Sequence, residues 1–237
     1  MKTKKNTLCL LLIISIINIS PIFSQSGKII ESNLRGQFFN SIKTNINNVK
    51  SNVTGSPYLN EEFTPARIAL NKEERIYNMR YNAYSDVFEF KNEKNEKYAI
   101  NKSIKDVTIT LISTGKVFEL IDYKDGDFNK KGYFIHLSLK NDSVKLFKKN
   151  SVLYVPAKTS SNGYNKPKPA AFIKNSDKFY LRINDNPAIL IPRNKKDFAK
   201  LFPALSKDIL AYIKTNKIKT SKEADLLKLI NYINSIQ

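Results

Sequence analysis

One cysteine, one histidine and no tryptophan occur in 237 residues. A lone cysteine, Cys9, excludes an internal disulfide and a thiolate metal centre. A lone histidine, His136, leaves no second imidazole for a metal site. Acidic residues are scarce, 21 against 40 Lys and Arg. Gly-x-Ser-x-Gly, the turn that presents a hydrolase nucleophile, does not occur. Beyond the amino terminus no apolar run reaches the ~20 residues of a spanning helix.

The amino terminus carries an address. Lys2, Lys4 and Lys5 precede a nearly continuous apolar run from Leu8 to Ile19, followed by Pro21 and Ser24. A basic start, a short apolar stretch and a small residue at the cut describe a secretory signal peptide. Cleavage is expected after Ser24, which removes Cys9 and leaves a chain exported to the periplasm, the outer surface or the medium.

The formal net charge is +19, and it is unevenly spread. Residues 25–142 carry 18 basic and 15 acidic side chains, whereas residues 143–237 carry 19 and 6. Lys145, Lys148, Lys149, Lys158, Lys166, Lys168 and Lys174 follow one another with no acid between them. Tyr154, Tyr164, Phe172 and Tyr180 are interleaved, and lysines with aromatic platforms suit sugars and single-stranded polyanions. Only six of the forty basic residues are Arg, the side chain preferred for bidentate phosphate recognition. Two readings therefore stand: an anion-binding surface, or a solvated surface set by a Lys-, Asn- and Ile-rich composition. No nucleic-acid motif is present, which disfavours that partner.

Periodicity divides the chain into four parts: the signal (1–24), a mobile arm (25–54), a β-rich body (55–192) and a helical tail (193–237). Leu34, Phe38, Phe39 and Ile42 suggest one short helix in the arm. In the body, β-branched and alternating stretches recur every 8–15 residues or so between turn signals, as in Val107–Ile112, Val117–Tyr123 and Val152–Val155. Tyr133, Ile135, Leu137 and Leu139 predict a buried strand face, with Phe134 and His136 on a wetter one. Pro156, Pro167, Pro169 and Gly163 predict a long loop over 156–177. Period 3.6 takes over in the tail, with expected caps at Asn194 and Ser206 and a Thr220–Glu223 capping box. The expected fold is α+β: an antiparallel sandwich or barrel-like body closed by about three short helices.

Three segments add a resemblance: Gly55-Ser56-Pro57-Tyr58-Leu59-Asn60-Glu61-Glu62-Phe63, Met79 through Phe90, and the tail from Asn194 through Asn234. Together they resemble a group of secreted Gram-negative proteins with a signal peptide, a β-rich body and such a tail. The resemblance implies the extent and destination of the domain and carries no activity, ligand or catalytic residue. Asn71-Lys72-Glu73-Glu74 departs from the glycine-containing turn of that group and implies a differently shaped hairpin tip.

No catalytic set assembles from spacing. Asp125, Asp127 and Asn129 begin like a Ca²⁺ loop, but Lys130 and His136 stand where such loops need Gly and Glu, so a hairpin tip is expected. Glu61-Glu62 and Glu73-Glu74 are adjacent pairs, which a strand points to opposite faces. Glu89, between Phe88 and Phe90, is the acid expected to be partly buried, paired with Arg80 or another cation. No cofactor or metal is implied. The leading expectation is a non-catalytic envelope module whose partners are anionic polysaccharide, lipopolysaccharide or another envelope protein. A carboxylate-dependent hydrolase of envelope polymers is the alternative.

Overall fold

The computed structural model describes residues 36–45, 53–158 and 167–237. Expectations for the signal peptide, Tyr164 and Lys166 fall outside these residues. Helix α1 covers residues 36–42, where Ser41 Oγ donates to the Phe38 carbonyl at 2.7 Å.

Eleven strands form one antiparallel sheet. Its first part is β1 (Lys43–Thr44), β5 (Lys97–Ile100), β4 (Val87–Lys91), β3 (Glu73–Asn82) and β2 (Thr64–Leu70), in that spatial order. It continues through β6 (Thr108–Leu111), β7 (Val117–Asp125), β8 (Phe128–His136), β9 (Val144–Lys149), β12 (Lys178–Ile183) and β13 (Ile189–Leu190). The α+β class follows: helices α2 (Lys195–Ala199), α3 (Ser206–Thr215) and α4 (Glu223–Ser235) lie after the strands.

Hairpin tips are fixed by left-handed residues. Asn71 and Lys72, at φ +50° and +68°, make a two-residue turn between β2 and β3 without glycine. Gly126, at φ +61°, opens the β7–β8 turn. Asp125 there bonds Lys130 at 2.6 Å, so the Asp125–Asn129 segment is a hairpin tip.

The second half of the sheet rolls into a ring. Ala188 lies parallel to Tyr123; its N–H donates to the Asp122 carbonyl at 2.9 Å, and its carbonyl accepts from Lys124 N–H at 2.8 Å. This links the β12–β13 connection back to β7. Ile121, Tyr123, Phe134, Phe147, Tyr180 and Ala188 form one buried cluster among these strands. Rings pack edge-to-face, Phe134 to Tyr180 at 4.9 Å and Phe134 to Tyr123 at 5.0 Å. The ring is filled by side chains, as small barrels are.

This arrangement corrects the expected wet face of β8. Tyr133, Phe134 and Ile135 are all buried. Phe134 belongs to the ring cluster, while Tyr133 packs edge-on to Phe88 at 5.1 Å on the other side. Alternation disappears because a strand shared by two cores buries both faces.

The 156–177 segment also departs from the expected single loop. Ala171–Lys174 forms β11, paired with β10 (Val152–Val155) in a separate two-stranded ribbon. Thr54 holds its outer edge, donating to Ala170 and accepting from Phe172 at 2.9 and 2.8 Å. Gly55, at φ +76°, is needed there: a Cβ would lie 2.3 Å from the Phe172 carbonyl oxygen.

The tail covers the outside of the ring. Val144, Leu146, Leu181 and Ile191 share a core with Phe198, Ile209, Ile213, Ile218, Leu226, Leu229, Ile230 and Ile233. Asn194 caps α2 as expected, accepting from Lys196 N–H at 2.8 Å. The other two expected caps are corrected. Ser206 lies inside α3, following a 3-10 turn at Pro203–Leu205. Thr220 Oγ1 donates to the Arg193 carbonyl at 3.1 Å, and Glu223 bonds Lys148 at 2.6 Å. Instead of closing a capping box, Thr220 ties the tail to its own start and Glu223 docks it on the body.

Candidate functional site: a lysine-lined cleft in the tail

Helix α3 ends in a Schellman motif. Ile218 N–H donates to the Ile213 carbonyl at 3.0 Å, and Lys217 N–H to Lys214 at 3.4 Å. Lys217 sits at φ +52°, the left-handed position that glycine usually fills. Ile213 and Ile218 are buried and anchor the reversal. The chain then turns beneath the start of α2, leaving an open cleft of about 580 Å³. Leu210, Ile213 and Ile218 contribute apolar lining, and Lys195, Lys196, Lys214, Lys217 and Lys219 contribute five cations. All five are exposed, and among the described residues none joins a side-chain ion pair. Asp225 Oδ2 accepts the Lys219 N–H at 3.0 Å and brings one carboxylate to the edge, so five ammonium groups face one acid around the concavity and the surface attracts anions.

The described lysines of the 143–176 run fall into three settings. Lys158, Lys168 and Lys174 are exposed on the β10–β11 ribbon. Lys148 and Lys149 are engaged internally: Lys148 with Glu223, and Lys149 with Asp86 at 3.1 Å. Burial pushes the Lys149 amine below its ordinary value, against the opposing pull of Asp86. Its ammonium also lies 4.4 Å from the Phe134 ring centroid. Lys145 is half-buried on β9, opposite Arg182.

The aromatic platform is divided too. Tyr154 and Phe172 face each other on the ribbon, 5.7 Å between centroids, and Tyr84 joins them 5.1 Å from Phe172. Tyr180 lies apart, inside the ring cluster, where burial raises its hydroxyl to about 12.

His136 does not lie on the wetter face expected for it, for its side chain is 6% exposed. Nδ1 lies 2.7 Å from Glu119 Oε1 and Nε2 lies 3.3 Å from Ser138 Oγ. Burial pushes the Glu119 carboxyl up, but the hydrogen bond and charge of His136, with Lys145 and Lys140, hold it below its usual range. The connectivity matches a Ser-His-acid relay, yet Ser138 Oγ is committed to structure. It accepts Leu146 N–H at 3.0 Å, where the β8–β9 ladder loses a carbonyl partner. His136 thus bridges Glu119 and a hydroxyl already committed to the backbone, and the three groups form a structural link between β7, β8 and β9.

The remaining acids are dispersed among separate partners. Glu89 is 1% exposed and pairs with Arg80, as its apolar neighbours predict. Arg80 Nε and Nη2 donate to Oε2 at 2.8 and 2.7 Å, and Tyr58 and Asn82 donate to Oε1 at 3.3 and 3.2 Å. The guanidinium stacks 3.6 Å from the Tyr58 ring centroid. Asp122 is exposed on β7, opposite Lys131. Glu89 and Glu119 are thus each committed to a basic partner of their own.

The cleft was hidden from sequence inspection because its lysines come from two separate segments, 195–196 and 214–219. The left-handed Lys217 has no sequence signature where glycine would have announced the turn. Compared with known proteins, the chain matches no family model, no curated protein and no solved structure.

Proposed function

We propose that the chain is an exported, non-catalytic binding module of the cell envelope that holds an anionic polymer on the lysine-lined cleft. The observation that carries this reading is the set of five exposed lysines around one concavity, none of them in a side-chain ion pair among the described residues. The basic start, the apolar run over 8–19 and Ser24 support export.

Titration of fluorescent dextran sulfate across a salt series tests the binding. Logarithmic affinity should fall linearly with logarithmic salt. Replacing Lys214, Lys217 and Lys219 together by Gln should weaken binding by at least about tenfold and flatten the slope. An unchanged slope in that variant overturns the assignment to this cleft.

A further inference from the structure

One end of the ring holds an arginine fork with an empty edge. The register sets Arg182 opposite Lys145, and Tyr180 opposite Phe147 one step further in. Paired residues share a face, and alternate residues return to it. Arg182 and Lys145 therefore stand on the inner face of the ring, beside the buried Phe147 and Tyr180. His136 lies opposite Phe147 and Glu119 opposite Phe134, so both belong to the same face. These four polar side chains gather where β8 leads into β9 and β12 into β13. The mouths of small β-barrels are a common place for ligands.

Charge and hydrogen bonding are both incomplete there. The Arg182 side chain is 25% exposed, yet its Nε–H is buried and meets no acceptor among the described residues. Asp185, fully exposed, stays 3.7 Å from Arg182 Nη2, beyond hydrogen-bond range. Arg80 shows the same edge filled, with Nε and Nη2 both donating to Glu89 Oε2 at 2.8 and 2.7 Å. Lys145 joins no ion pair among the described residues. Acids of the adjoining segments are taken, Glu119 by His136 and Asp142 by the Leu139 N–H at 3.2 Å. Like charges directly opposed across strands repel, and a buried donor without an acceptor costs stability. One bound carboxylate relieves both. A doubly charged phosphate would face Glu119 as well, so a planar ion with one charge suits the fork better. We propose that this end of the ring binds a small carboxylate ligand, held on the Nε–Nη2 edge of Arg182 with Lys145 countering its charge. The site shares no residue with the lysine-lined cleft and does not rest on it.

Arginines are few in this chain, so their side-chain Nε–H resonances can be resolved, and Arg182→Lys identifies the one that matters. Acetate added at constant ionic strength should move the Arg182 Nε–H resonance to saturation. Chloride, and acetamide as the neutral isostere, should not. Arg182→Gln should lower acetate affinity, measured by calorimetry, at least about tenfold. Lys145→Gln should weaken binding while the Arg182 resonance remains to report it. Asp185→Asn removes a competing carboxylate and should bind acetate at least as well. Replacing Lys214, Lys217 and Lys219 together by Gln should leave acetate binding unchanged, which separates this site from the cleft. Any of four results overturns the proposal: an Nε–H resonance that ignores acetate, an equal response to chloride, unchanged affinity in Arg182→Gln, or loss of binding in Asp185→Asn.

Discussion

Asn234 clamps the backbone of Val144 with both ends of its amide. Nδ2 donates to the Val144 carbonyl at 2.9 Å, and Oδ1 accepts the Val144 N–H at 3.0 Å. A helix side chain thereby takes the place of a neighbouring strand at the start of β9. Asn234→Ala removes both bonds and leaves a partly buried N–H unpaired. A loss of about 1–3 kcal/mol in urea-unfolding stability is expected, with Asn234→Gln failing to restore it because the longer side chain displaces the amide.

The Glu119–His136 pair predicts an acid-sensitive fold. Glu119 titrates lower in the folded state than its ordinary ~4.3 in an unfolded chain. The folded state therefore binds the Glu119 proton less readily, and the pair's stabilisation is complete above about pH 5. It is lost as pH falls below that ordinary value and through the depressed folded one. Urea midpoints between pH ~3 and ~7 should show this loss, and Glu119→Gln should flatten the profile over that range while lowering the plateau.

Asp86 gathers four donors: Tyr81 OH at 2.6 Å, Lys102 at 2.9 Å, Lys149 at 3.1 Å and the Tyr133 N–H at 3.1 Å. Asp86→Asn tolerates the left-handed backbone but removes the charge that Lys149 faces. An uncompensated buried ammonium costs about 3–5 kcal/mol. Adding Lys149→Met should recover part of that loss in a double-mutant cycle. Gly132 makes room for this pair, since a Cβ there would lie 2.7 Å from Asp86 Oδ2 and 2.8 Å from Lys149 Nζ. Gly132→Ala should cost about 1–3 kcal/mol by overpacking.

Lys217 predicts a trade between stability and binding. Lys217→Gly relieves the left-handed strain and should raise stability by about 1 kcal/mol. The same change removes one cation from the cleft, so dextran sulfate affinity should fall together with its salt slope. A variant that gains stability and binds unchanged would separate Lys217 from the site.

Local rules are legible in this sequence, and tertiary choices are not. Asn194 caps α2 because an Asx side chain reaches its own helix terminus. Leu226, Leu229, Ile230 and Ile233 are buried as their spacing predicts. Thr220 and Glu223 satisfy a capping box on paper, yet their partners, Arg193 and Lys148, come from distant chain positions. Lys148 and Lys149 look like neighbouring members of one basic run. Strand alternation sends one to the tail and the other to Asp86 beside the ring core, a difference composition cannot register.

Shared burial between strands and tail also sets an order of events during synthesis. The sheet face made by Val144, Leu146, Leu181 and Ile191 gains its last cover only when Ile233 of α4 has been added. A nascent chain short of that point exposes an apolar wall and has no finished body. Closure of this shared core therefore waits for α4.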